Sequence, residues 1–185
     1  MVNSFEYIAK RYSLSKKAIS ILESSCMEVY IRSGQTFLDY NQLNRHVYIV
    51  ASGLTKTYFL RDGRERVLNF AFEGEVAVFP SDRHDISSIA AIAIEDSILL
   101  KADKRKLEEL FRINGELAYW GYEMMKQIVQ YSIDDYMDYL WMDKQDIYKK
   151  LLNEHPDILQ RIPLKDIASY LNITPSSLSR IRANM

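Results

Sequence analysis

Apolar and polar positions divide this chain into three stretches of different period. Residues 4–25 place Ile8, Tyr12, Ile19 and Leu22 among polar neighbours, a helical spacing with a break expected at residues 13–15. From Cys26 the apolar residues come in short alternating runs at 27–31, 36–39, 46–50, 54–60, 66–72, 86–94 and 97–101. Gly34, Gly53, Gly63 and Gly74 punctuate them, and Asp62-Gly63 is the clearest signal for a two-residue hairpin turn. The pattern predicts a small antiparallel roll of about eight strands.

At Lys104 the helical period returns. Residues 104–111 form a short amphipathic segment, and Asn114 opens a long one whose apolar stripe is Leu117, Trp120, Gly121, Met124, Ile128 and Tyr131. That stripe is close to the heptad spacing of a two-helix seam, and Gly121 would let two backbones approach. One face of this helix is expected on the roll and the stripe across a two-fold axis. Residues 132–146 carry Asp134, Asp135, Asp138, Asp143 and Asp146 among aromatics, and the apolar seam stops there, which marks a hinge. The aspartates read as a solvated face, since no calcium-loop spacing is present. Ile147, Leu151 and Leu152 start a further helix that His155-Pro156 ends. The expected division is residues 1–111, 112–135 and 136–185.

Near the C-terminus Leu164, Ile167, Ala168 and Leu171 fall at i, i+3, i+4 and i+7, one face of a helix entered through Pro163. Asn172 suits a left-handed stop, Thr174 a cap and Pro175 the first position of a second helix with Leu178 and Ile181 inside. Two short helices at this spacing make a helix-turn-helix. Its outward residues are Ser176 and Arg180, flanked by Ser177, Ser179 and Arg182. Short hydroxyls let a helix approach base edges, and an arginine can donate two hydrogen bonds to a guanine. Lys165 and Thr174 stand where phosphates would pass. Four basic residues, Arg161, Lys165, Arg180 and Arg182, face one acid, Asp166, in this segment of a chain whose net charge is only −1.

Composition removes other classes. No apolar run approaches the ~20 residues of a membrane span, and Glu6 and Lys10 break the N-terminus as a signal peptide, so a cytoplasmic, membrane-free protein is expected. Cys26 is the one cysteine, which excludes an internal disulfide. His46, His84 and His155 lack any ligand spacing, so no metal is assigned, and no catalytic constellation points to an enzyme.

Residues 33–37 (Ser-Gly-Gln-Thr-Phe), 48–53 (Tyr-Ile-Val-Ala-Ser-Gly), 62–65 (Asp-Gly-Arg-Glu) and 72–75 (Phe-Glu-Gly-Glu) resemble successive landmarks of the cyclic-nucleotide-binding roll of Crp/Fnr transcription regulators. Residues 163–175 with Leu178, Ser179, Arg180, Ile181 and Arg182 resemble that family's helix-turn-helix more closely still. The resemblance spans residues 20–185 in family order. It implies an α+β chain: an N-terminal cupin-like antiparallel β-roll, a long dimerisation helix and a C-terminal helix-turn-helix domain. It further implies a homodimer that reads a palindromic operator in double-stranded DNA, with RNA polymerase as a further partner. An effector in the roll would bias the dimer helix and hinge. The chain stops four residues after Ile181, where family members continue into a β-hairpin wing, so a full wing is not expected.

In the family's cyclic-nucleotide binders a Gly-Glu pair precedes an arginine and small hydroxyl residues. Gly74 and Glu75 match the pair, with Ser87 and Ser88 as hydroxyl candidates, but Arg83 falls about four residues early and Ser87 occupies the arginine's place. Asp82 and Asp85 would repel a phosphate nearby. Glu75 could equally pair with Arg83 or cap a loop. No cofactor is therefore assigned, and the roll is expected to take a different, unidentified small-molecule effector or none. The rival reading is a ligand- or protein-binding roll whose C-terminal domain no longer binds DNA.

Overall fold

The computed structural model describes residues 4–80 and 87–185. Two helices come first, α1 (Ser4–Tyr12) and α2 (Lys16–Ser25), broken where expected by Ser13 in a left-handed turn. Ser15 caps α2 by accepting from the Ala18 amide, and Glu116 in turn accepts from its hydroxyl at 2.7 Å.

Eight strands follow among the described residues: β1 (Cys26–Ile31), β2 (Thr36–Leu38), β3 (His46–Ser52), β4 (Thr55–Arg61), β5 (Arg64–Ala71), β6 (Val76–Val78), β7 (Ala90–Ala93) and β8 (Ser97–Asp103). They make two antiparallel four-stranded sheets, ordered β1-β8-β3-β6 and β2-β7-β4-β5. Between the sheets lie Ile31, Leu38, Tyr48, Val50, Ala71, Ala77, Val78, Ala91, Ala93 and Leu99. Asp62 and Gly63 both have positive φ, 53° and 70°, the geometry of the tight hairpin turn their sequence signals. The run expected at 86–94 is a strand only over Ala90–Ala93, and its first residue lies outside the described residues.

α3 (Lys104–Ile113) closes the roll, and α4 (Gly115–Trp141) is capped by Asn114, whose side chain accepts from the amides of Glu116 and Leu117. α4 does not break within residues 132–141. It ends at Met142, within the stretch expected as the hinge, and Asp143 caps α5 (Lys144–Glu154). Lys150 of α5 reaches back to Asp138 of α4 at 2.5 Å, so Asp138, like the cap Asp143, has structural work and is not merely part of a solvated face.

The rest is helical: α6 (Ile158–Arg161), α7 (Leu164–Tyr170) and α8 (Pro175–Ala183). Their core is continuous with the roll. Leu54, Val67 and Phe70 pack in one cluster with Tyr148, Leu151, Ile158, Ile162, Ile167, Ala168, Leu171 and Leu178. The roll and the C-terminal helices are thus joined by buried apolar surface, which contributes roughly 25 cal/mol for each Å² removed from water.

Candidate nucleic-acid interface and effector cavity

The geometry of α7 and α8 follows from a few residues. Asn172 takes φ 55°, ending α7 in the left-handed conformation, and the Ile173 amide returns to the Ala168 carbonyl at 3.0 Å. Thr174 then starts α8, its hydroxyl accepting from the Ser177 amide at 3.2 Å ahead of Pro175. Ile167, Ala168, Leu171 and Leu178 are buried, which fixes how the two helices cross.

Lys165, Thr174, Ser176, Ser179, Arg180 and Arg182 are exposed and Ser177 half-exposed. Thr174 Oγ1 bonds the hydroxyls of Ser176 and Ser177 at 2.9 and 3.0 Å, and Arg180 reaches Ser177 Oγ at 3.5 Å. Ser179 spends its hydroxyl on the Pro175 carbonyl at 3.0 Å, which leaves it less to offer a base. The structure therefore gathers the sequence-derived reader residues on and around one solvent-facing helix.

Two members of the supposed basic segment are not part of that surface. Arg161 is held by four charge-assisted hydrogen bonds to the roll, to Glu73 at 2.7 and 3.2 Å and to Glu95 at 2.9 and 3.0 Å. Asp166 is buried against Lys56 of β4 at 2.7 Å. The Ser169 hydroxyl donates to the Glu65 carbonyl at 3.0 Å and accepts from the Val67 amide at 3.1 Å. His155 stacks on Phe72, ring centroids 3.8 Å apart and planes 4° from parallel. No periodicity in either segment signals these pairings, because each partner is about 60 to 110 residues away in the chain. The cue available was Asp166 itself, an acid on an otherwise basic helix pair.

Gly74 and Glu75 border a cavity of about 370 Å³ between the roll, α4 and the C-terminal helices. Phe72, Phe79, Ile128, Tyr131, Leu151 and His155 supply its walls. Glu75 turns one carboxylate oxygen to the Phe72 amide at 3.0 Å and so caps its own loop, and burial pushes its carboxyl above the usual range. Asp135 on the opposite wall is raised for the same reason, against the pull of Lys150. Ser87 and Ser88 do not line this cavity, and Ser87 is tied to the Ile89 carbonyl at 2.7 Å. Arg83 lies outside the described residues. Among the described lining residues there is no lysine or arginine, while Glu75, Asp135 and Glu154 are acids. These described residues alone offer no cation to a cyclic phosphate.

On α4 the expected dimer stripe needs correction. Leu117, Trp120 and Met124 are buried in a cluster with Phe5, Ile8, Leu22, Val47, Leu100 and Leu107 of their own chain. A Cβ on Gly121 would stand 2.8 Å from the Phe111 ring, so this glycine makes room for α3. Ile128 and Tyr131 turn to the cavity. The face left open carries Tyr122, Met125, Val129, Ile133, Tyr136 and Leu140, each more than two-fifths exposed. Val129, Ile133, Tyr136 and Leu140 repeat at steps of four, three and four, itself a coiled-coil seam. The helix is apolar on two sides, and spacing alone could not say which side the roll takes.

Among the described residues no helix is long and apolar enough to cross a membrane, and no cluster of three His, Cys, Asp or Glu residues could hold a metal.

Residues 28–114 match the cyclic nucleotide-binding domain family. None of the curated proteins matches the sequence. Among solved structures, FixK2 from Bradyrhizobium japonicum is similar at 22% identity with a TM-score of 0.70, over 86% of this chain and 83% of that one. A variant of CooA from Carboxydothermus hydrogenoformans is similar at 14% identity and a TM-score of 0.72, over 100% of this chain and 84% of that one. A regulator assigned to the Crp/Fnr family from Eubacterium rectale gives 16% and 0.68, over 93% and 83%.

Proposed function

We propose that this chain, which carries a cyclic nucleotide-binding domain at residues 28–114 and has the fold of the Crp/Fnr transcription regulators, is a DNA-binding regulator that works as a homodimer. The observation that carries the reading is the exposed face of α8. Ser176, Ser177 and Arg180 point to solvent on a helix whose other side, Leu178, is sealed into the core. Short hydroxyls and an arginine on such a face leave it free to approach base edges and phosphates. In the major groove, Arg180 would donate to guanine O6 and N7, with Lys165 and Thr174 placed for phosphates.

Two copies joined along the open face of α4 would present two α8 helices to half-sites about 34 Å apart. The seam of Val129, Ile133, Tyr136 and Leu140 supports this pairing, since apolar side chains at heptad spacing are otherwise left in water. The effector we assign to the cavity beside Glu75 is uncharged or cationic, because its described walls carry acids and aromatics. A molecule seated there would touch the roll, α4 and the C-terminal helices together.

Selection from a randomised duplex library, with no ligand added, tests the reading. Recovery of a palindrome with half-sites one helical turn apart is the expected result. Arg180→Ala should then relax one base pair in each half-site, losing about 1–3 kcal/mol of discrimination. Sequence-blind retention by the native protein would instead favour a sensor whose output is another protein.

A further inference from the structure

Three arginines of the β4–β5 hairpin share one face. Arg61 and Arg64 are direct cross-strand partners beside the turn, and Phe59 is the partner of Arg66. Partners across an antiparallel pair, and residues two apart along a strand, point to the same side of a sheet. Phe59, Arg61, Arg64 and Arg66 accordingly line one groove together, of about 640 Å³. Like charges set opposite each other in a hairpin repel. No ion pair offsets them among the described residues: Glu65 is drawn to Lys56, and Asp62 is the one acid against three arginines on the groove.

The opposite wall of the groove is the reader. Ser169, Tyr170 and Asn172 complete the lining. Asn172 is exposed and stands two residues before Thr174, the cap of α8. A recognition helix enters the major groove by its N-terminal residues, so this groove opens beside the end of α8 that approaches DNA. The two hydrogen bonds of the Ser169 hydroxyl to Glu65 and Val67 hold the hairpin against α7, and the arginines travel with the reader.

We infer that the arginine face of the β4–β5 hairpin binds the DNA phosphate backbone beside the half-site that α8 reads. The sensor roll is then part of the DNA interface. Arg61, Arg64 and Arg66 each displace counterions from a phosphate, and the Asn172 amide has a donor to add. These interactions strengthen binding to every sequence equally, since phosphates carry no base identity. The inference rests on the DNA-binding reading above.

The test measures binding of the full chain to its selected operator and to a scrambled duplex by fluorescence anisotropy, between about 50 and 200 mM salt. Arg61→Gln/Arg64→Gln/Arg66→Gln should weaken both duplexes by the same factor. The slope of log affinity on log salt should become shallower by about 0.9 for each phosphate no longer neutralised, about 2.7 for three. The corresponding triple lysine variant should keep the native slope, and Arg180→Ala should lose operator preference instead. A native slope in the glutamine variant, with its melting curve unchanged, overturns the inference while leaving α8 as reader. So does a glutamine variant that binds both duplexes normally and is weakened only towards inorganic pyrophosphate, which would make the groove a small-anion site. Failure of the native protein to bind either duplex overturns the regulator reading itself, and the hairpin's role with it.

Discussion

Lys56 on β4 and Asp166 on α7 meet at 2.7 Å, both side chains nearly sealed from water, and so pin the helix-turn-helix to the roll. A buried ion pair adds little over a well-packed apolar pair, but removing one partner strands a charge. Asp166→Ala leaves Lys56 with the half-exposed Glu65, 3.6 Å away, and should cost up to about 3–5 kcal/mol in urea unfolding. Lys56→Met combined with Asp166→Leu should recover most of that loss. Equal damage from the single and double variants would mean that the pair itself, and not the stranded charge, supplies the stability.

Acid should loosen the same junction through Arg161. Burial pushes the Glu73 carboxyl up, but the hydrogen bonds and charge of Arg161, together with the backbone amides of Glu73 and Gly53, outweigh it and hold the group below the usual carboxylate range. A group depressed in the folded state stabilises fully above its unfolded value, about 4.3, and loses that contribution as pH falls through the folded value. The urea midpoint of the native protein should therefore fall below about pH 4, and Arg161→Met should flatten that limb of the curve. An identical acid limb in the variant would remove the clasp from the account.

Glu75 works in the opposite sense. Its carboxyl is raised by burial, so the folded state resists ionisation and stability declines as pH rises from the ordinary carboxylate value through the raised one. Glu75→Gln keeps an acceptor for the Phe72 amide and removes the charge. The variant should melt higher than the native protein at about pH 7 and lose this advantage near about pH 4. A lower melting point at about pH 7 that disappears near about pH 4 would indicate that the carboxylate has a cationic partner.

The two sides of α4 should answer differently to the same change. Val129→Asp or Ile133→Asp, on the open face, should give folded monomers by sedimentation. Met124→Ala, on the roll side, should leave the oligomeric state alone and cost about 2–5 kcal/mol of stability. A Val129→Asp protein that still sediments as a dimer would place the interface elsewhere.

What the sequence made legible and what it hid follow from range. Asn172, Thr174 and Pro175 act on neighbours within a few residues, and so the reader could be drawn residue by residue. Asp62-Gly63 is equally local. The seam on α4 depends on which of two apolar stripes meets the roll, a question that Trp120 and Val129 cannot settle by spacing. Glu75 was found by its place beside Gly74, yet its company was not, because Asp135 and His155 come from elements far along the chain. Arg161 read as one more positive charge until Glu73 and Glu95 stood around it.

The apolar cluster that links Leu54, Val67 and Phe70 to Tyr148, Ile158 and Leu171 bears on the history of the chain as well as its folding. A reader built this way is not a detachable cassette. Grafted behind a foreign roll it would arrive with a wet hydrophobic patch and a homeless Asp166, and cut out alone it would be prone to aggregate. A change of size at Val67 or Phe70 is therefore felt in the helices as well as in the roll.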